Sequence, residues 1–150
     1  MGGYNARKKE LRLGSNDVVP VVAKVTYDYG VDGGAVGAIT LTGEDGEAVV
    51  IPAGSLITRS WKVVTTALAG ASSTWMFGVT DDTDAFLAAT AFDNAANVGT
   101  DAHSAALPQK QTTRDQSIIA TIGAAVATAG AFEFFVEYIP PRGARSVARS

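Results

Sequence analysis

From Val21 to Tyr29 apolar residues recur at every second position: Val21, Ala23, Val25, Tyr27 and Tyr29, set among Val22, Lys24, Thr26 and Asp28. A two-residue period sends successive side chains to opposite faces of an extended chain, so this segment predicts a half-buried β-strand. Gly30 and Asp32-Gly33-Gly34 end it, glycine being the residue that takes positive φ without strain. Val36–Thr42 and Glu47–Ile51 then flank Gly43-Glu44-Asp45-Gly46, which predicts a hairpin about a four-residue turn. Pro52-Ala53-Gly54 turns the chain into the long run Ser55–Leu68, where alternation is imperfect. Ile57, Trp61 and Val63 share one face of an ideal strand, and Leu56, Val64 and Leu68 the other. A bulge near Arg59–Lys62, or burial on both faces, reconciles the two sets.

Ala69-Gly70-Ala71-Ser72 predicts the next turn, and Trp75, Phe77 and Val79 the next alternating strand. After Asp81-Asp82-Thr83-Asp84, the segment Ala85–Phe92 predicts one or two helical turns with Asp82 or Asp84 as N-cap. Residues 93–114, with Asn94, Asn97, Gly99 and Pro108, read as an irregular stretch of a length that points to function or to an interface. Ser117–Gly123 and Ala131–Ile139 predict a last hairpin. In it Phe132, Phe134, Val136 and Tyr138 face inward while Glu133 and Glu137 face out. Phe135 is out of phase on the acidic face, which marks two-sided burial or a subunit contact. About eight strands at such spacings predict an all-β fold, an antiparallel β-sandwich of which a jelly roll is one form. The expected organisation is an N-terminal arm over residues 1–17, a sandwich over 18–139 and a basic C-terminal tail over 140–150.

Composition narrows the function classes. A chain of 150 residues, 47% hydrophobic, is long enough for one domain with a real core. It contains no cysteine, which excludes a disulfide framework and thiolate chemistry. The start has no apolar stretch after its charges, and no run of about 18 apolar residues follows, so neither a signal peptide nor a membrane span is expected. The net charge of −3 hides an asymmetry. Arg7, Lys8, Lys9 and Arg12 outnumber Glu10 and Asp17 near the start, and Arg142, Arg145 and Arg149 stand without acids at the end, leaving −8 on the body between. Basic ends on an acidic body read either as solvated tails or as arms that reach an acidic surface. The body itself repels phosphates, so no nucleic-acid partner is expected.

Chemistry-bearing residues are sparse. His103 is the single histidine and has no serine in a G-x-S-x-G setting to activate, which argues against a hydrolase triad. Asp81, Asp82 and Asp84, with Asp93 nearby, form the best candidate for a hard cation, but the spacing of a calcium loop is missing, and a solvated capping turn is the expected role. The glycines at 30, 33, 34 and 37 lack the lysine and helix of a phosphate cradle. Trp61 and Trp75, with Tyr27, Tyr29 and Tyr138, have the strand period of core residues, although exposed rings of this kind stack on sugars. No catalytic residue, metal or cofactor is expected, and the chain reads as a non-enzyme.

One resemblance gathers these features. The strand Ala23-Lys24-Val25-Thr26-Tyr27-Asp28-Tyr29-Gly30, the turn Ile51-Pro52-Ala53-Gly54-Ser55-Leu56-Ile57-Thr58, the segments Gly78–Asp82 and Phe86–Phe92, and the ending Ala129-Gly130-Ala131-Phe132 through Val136-Glu137-Tyr138 resemble small virion proteins of tailed bacteriophages, of the head decoration (cement) type. The likeness covers about residues 20–139 and leaves out both tails. It implies a structural protein of the capsid surface, made in the host cytoplasm, forming a homo-trimer that binds the major capsid protein between neighbouring subunits, with no catalytic residues. On that implication Arg7, Lys8, Lys9, Arg12, Phe135, Arg142, Arg145 and Arg149 are the candidates for partner contact. The alternative is a carbohydrate- or receptor-binding β-sandwich module of a phage fibre or tail.

Overall fold

A computed structural model describes residues 18–91, 99–102 and 110–141. Among them run ten strands: β1 (Val21–Asp28), β2 (Gly37–Thr40), β3 (Val50–Ile51), β4 (Leu56–Ala69), β5 (Thr74–Val79), β6 (Asp82–Ala91), β7 (Gly99–Ala102), β8 (Lys110–Gln111), β9 (Gln116–Gly123) and β10 (Ala129–Ile139). A single helical turn, α1 (Tyr29–Asp32), follows β1. Every ladder is antiparallel, and the strands form two sheets: β1-β10-β4-β7 with β8 beside β4, and β2-β9-β5-β6 with β3 beside β9. The antiparallel β-sandwich expected from the periodicity is therefore the observed fold, and eight of the ten strands have four residues or more.

The pairing is nested. Among the eight longer strands the first lies beside the last (β1–β10), the second beside the last but one (β2–β9), the third beside the sixth (β4–β7), and the middle two beside each other (β5–β6). Only β5 and β6 form a hairpin; each other connection between successive long strands crosses from one sheet to the other. This corrects the expected last hairpin. Both of its strands exist and both alternate strictly between buried and half-buried residues, but β9 and β10 sit in opposite sheets. Periodicity reveals which face is buried and carries no information about the neighbouring strand. The turn Gly43–Gly46 forms as expected, with Gly46 N–H donating to Gly43 C=O at 3.0 Å. Its arms diverge after one bridge, Thr42–Ala48, because β2 and β3 each pair with β9.

Two further expectations are overturned. The segment predicted to be helical is strand β6, held to β5 through the pairs Thr90–Trp75 and Leu87–Phe77. Alanine-rich sequence favours a helix locally, but the ladder to β5 and the burial of Ala85 and Phe86 override that preference. The capping role assigned to Asp82 or Asp84 falls with the helix. The stretch over 93–114 also contains β7 and β8, both paired with β4.

In β4 the partner register skips Thr58 and again Thr65. These two bulges flank Arg59–Lys62, a third register shift falls between Thr66 and Ala69, and each reverses the phase of the strand. Ile57, Ser60, Lys62, Val64 and Leu68 consequently all face the core, while Trp61 and Val63 lie half-buried on the outer face. Aromatic rings from both sheets fill the interior. Phe134 stacks on Phe77 at 4.8 Å, Tyr27 meets Trp75 edge-on at 5.0 Å, and Phe132 meets Phe77 edge-on at 5.4 Å. The Lys62 ammonium lies 5.8 Å from the centre of the Phe77 ring.

Candidate interaction surfaces

The bulges in β4 create the most distinctive patch on the outer face of the first sheet. Lys24, Phe135 and Trp61 stand in one row across β1, β10 and β4. The Phe135 and Trp61 rings are nearly parallel with centres 5.3 Å apart, and the Arg59 guanidinium lies 4.9 Å from the centre of the Trp61 ring. Arg59 also pairs with Glu137 at 3.2 Å, and the Thr58 hydroxyl donates to the same carboxylate at 2.9 Å. On the other flank Lys24 bridges Glu133 and Glu44. Phe135 is thus half-buried because Trp61 covers it, and the pair is framed by two sets of ion pairs. Tryptophan and arginine are the residues most often found at the energetic centre of protein contacts. Periodicity alone had grouped Trp61 with Ile57; the odd spacing of Ile57 and Val64 was the available sign of the bulges.

The bonds from Thr58 and then Arg59 hold the Glu137 carboxyl below its ordinary 4.5. A carboxyl depressed by folding adds stability that is present above the unfolded value and lost as pH falls through the folded one. Glu137→Gln is therefore expected to melt below the wild type near neutrality, by an amount of about 1 kcal/mol or less for so exposed a pair. The gap should close as the pH is taken below 4.5. Melting temperatures over that range check it; a gap independent of pH refutes it.

The second surface is the end of the sandwich where the chain enters and leaves. Val21 pairs with Tyr138, and Ile139 with Leu56, so Val18 and Pro141 lie at the same end of the first sheet. Both basic segments depart from there. Arg7, Lys8, Lys9, Arg12, Arg142, Arg145 and Arg149 lie outside the described residues, as do His103 and Asp93. Polar bonds tie the loops at this end together. Asp81 accepts from Arg114 Nε at 2.8 Å and from Gln116 Nε2, Ala53 N–H donates to Asp115 at 2.9 Å, and the buried Thr112 hydroxyl donates to Pro52 C=O at 2.9 Å. Asp81 is thus engaged by Arg114 and Gln116. Among the described residues no three His, Cys, Asp or Glu side chains converge as metal ligands. Trp75, Tyr27 and Tyr138 are core residues, which leaves Trp61 and Tyr29 at the surface among the five rings weighed for stacking on sugars.

With the nested two-sheet arrangement established, solved structures can be set beside it. A chain in the capsid asymmetric unit of cyanophage Pam1 superposes with a TM-score of 0.63 over 89% of this chain and 96% of its own, at 15% identity. Chains from the acid-stable capsid of Helicobacter pylori bacteriophage KHP30 and from the capsid of Ralstonia phage GP4 give TM-scores of 0.58 and 0.55, each at 16% identity. The first spans 82% of this chain and 89% of its own, the second 89% and 90%. The fold is shared with phage capsid chains. At such identities the likeness is one of fold, and no residue role passes across with it. No protein-family model and no curated protein sequence matches the chain.

Proposed function

We propose that this protein is a structural component of a bacteriophage virion that decorates the capsid surface and stabilises it by binding between subunits of the major capsid protein. The observation that carries the reading is the superposition on capsid chains from three phages, which covers at least 82% of this chain and at least 89% of the other in each comparison. The nested strand order supports reading the sandwich as a jelly roll. A protein repeated at many equivalent positions works by adding contact area, without chemistry. The residues to which its two basic segments are joined, Val18 and Pro141, lie at one end of an acidic body, so both segments start near a single place. Phe135, stacked on Trp61, provides a firm apolar contact on the adjoining sheet face. On this reading the working unit is a homo-trimer in the virion.

The test uses capsids lacking the protein. The full chain is expected to co-sediment with them and to raise the temperature at which they break open. Removal of residues 1–17 and 142–150 is expected to weaken binding by more than about tenfold, and binding of the full chain should decline as salt is raised. Binding unchanged by the truncation would sink the role given to the tails. Failure of the full chain to bind would sink the function.

A second reading, the carbohydrate- or receptor-binding module, is favoured by one observation, the surface position of Trp61. That ring already stacks on Phe135 and lies beside the Arg59 guanidinium, which makes it a poorer platform for a sugar than a bare indole.

A further inference from the structure

The two sheets differ in what they turn outward. The first carries Lys24, Arg59, Glu133 and Glu137 in ion pairs across its outer face. In the second, β2, β3, β5 and β9 contain no Asp, Glu, Lys, Arg or His. Alternate residues of β5 and β9 point inward, where Trp75, Phe77, Ile118 and Ala120 are buried. The others form rows with β2 across the outer face: Thr40, Ile119 and Gly78 in one, and Ala38, Thr121 and Met76 in the next. Ala38 and Thr40 are exposed, and Ile119, Thr121 and Met76 are half-buried. The acidic residues of this sheet, Asp82 and Asp84, stand in β6 at one end, where that strand crosses Gly78.

These rows belong to an acidic body. Residues 18–91, 99–102 and 110–141 hold 12 acidic and 5 basic side chains, and 5 − 12 gives −7. Two copies that meet through the charged parts of their surface set carboxylates against carboxylates, and the rows of the second sheet add nothing to that repulsion. Three strands about 4.8 Å apart cover a footprint on the order of 300 Å², the size of the patches on single proteins that mark contacts. The methyl groups of threonine, alanine, isoleucine and methionine gain by leaving water. The main chain beneath them is held in the ladders β2–β9 and β9–β5, so little conformational freedom is lost when the face is covered.

We propose that this charge-free face, centred on Ala38, Thr121 and Met76, is the surface through which copies of this chain meet, three of them turned toward a common axis like the walls of a prism. The occupant is a second copy because of what charge permits. A different protein can match an acidic surface with bases of its own, whereas a copy brings the same excess of acid. About a symmetry axis every residue recurs at the same height, so a charge in the contact meets its own like charges, and these rows contain none. The first sheet offers no such face, since Glu133 and Glu137 would recur in the same way. The assignment rests on the homo-oligomer of the capsid reading and names its surface. It is tested on the free protein so that it fails or holds separately from capsid binding.

The experiment is sedimentation equilibrium, at up to about 100 μM, of the full chain and its Ala38→Lys, Thr121→Lys and Val22→Lys variants. The full chain is expected to sediment at three times 15.4 kDa. Ala38→Lys and Thr121→Lys should sediment as single chains, their self-association weakened by at least about 30-fold, with the near-ultraviolet dichroism of the core aromatics unchanged. Lysine also reduces the net negative charge, which by itself favours association, so the loss reports a charge placed in the contact. Ala38 is exposed in the single chain, so lysine there is compatible with folding even if Thr121→Lys disturbs it. Val22→Lys, at a 48% exposed position on the outer face of the first sheet, should associate as the wild type does. A full chain that stays at the single-chain mass overturns the proposal. So does a folded Ala38→Lys that keeps the wild-type mass, and so does dissociation by Val22→Lys to the same degree.

Discussion

Phe134→Ala is expected to lower the folding free energy by about 3–5 kcal/mol, whereas Phe135→Ala, one residue further along the same strand, is expected to lower it by only about 1–2 kcal/mol. The two rings differ in which side of β10 they occupy. Phe134 is 0% exposed and packs against rings from the opposite sheet, Phe77 at 4.8 Å and Phe86 at 5.7 Å. Truncating it leaves a cavity bounded by both sheets, which close packing on either side prevents from collapsing. Phe135 is half-buried under Trp61 on the outer face, and its removal opens a space that solvent can enter. A domain of this size is stable by only about 5–15 kcal/mol, so the first change brings it near the unfolding threshold and the second does not. Urea unfolding followed by tryptophan emission measures both. Equal losses at the two positions would show that β10 is buried on both faces. Under the proposed function the order reverses for capsid binding: folded Phe135→Ala should bind more weakly, since that ring belongs to the outer patch.

Gly78→Ala is expected to be as damaging, at about 3 kcal/mol or more, although it adds a single methyl group. A β-carbon at Gly78 would lie 2.2 Å from the carbonyl oxygen of Asp82 and 2.3 Å from the carbonyl carbon of Thr83. Both are main-chain atoms of β6, so no side-chain rotation relieves the contact. The crowding has its origin in the register. Phe77 pairs with Leu87 and Val79 with Asp82, so β6 uses three more residues than β5 over this interval and bulges across Gly78. An added methyl must push the two strands of the hairpin apart, next to the buried Phe77 and Val79. Gly123→Ala is the control. Its β-carbon would approach a side-chain atom, the Thr74 hydroxyl at 2.7 Å, which can rotate away, so a loss of about 1 kcal/mol or less is expected. Thermal unfolding of the two variants compares them directly. If Gly78→Ala melts as Gly123→Ala does, the bulge of β6 over Gly78 is wrong.

The strands and their faces were readable because burial on one side leaves a period of two. Ala23, Val25 and Tyr27, Trp75, Phe77 and Val79, and Phe132, Phe134, Val136 and Tyr138 were each grouped on one face on that ground, and the structure buries all of these, whereas Val21 and Tyr29 at the ends of the first run are exposed. The candidate sites were less legible. Phe135 was marked as out of phase from its position among glutamates, but Trp61, its stacking partner, could be located only through the bulge at Thr58. The basic clusters were visible as composition. That they depart from one corner follows from the Val21–Tyr138 pairing, which joins residues more than a hundred positions apart.

What the chain alone determined is its class and its polarity: alternating apolar positions that demand two covered sheet faces, glycine and proline where the path must turn, an acidic body with basic ends, and no grouping of side chains that announces a reaction. What the tertiary structure decided is partnership. Hydrogen bonding between strands is made by the backbone, which every residue carries alike, so no side-chain pattern specifies whether β9 pairs with β10 or faces it across the core. The same holds for Ala85–Ala91, where local preference for a helix yielded to a ladder that exists only once β5 is beside it. The two ends of the sandwich, one of which bears both Val18 and Pro141, also arise in this way. Each is assembled from loops distant in sequence that only the nested strands bring together.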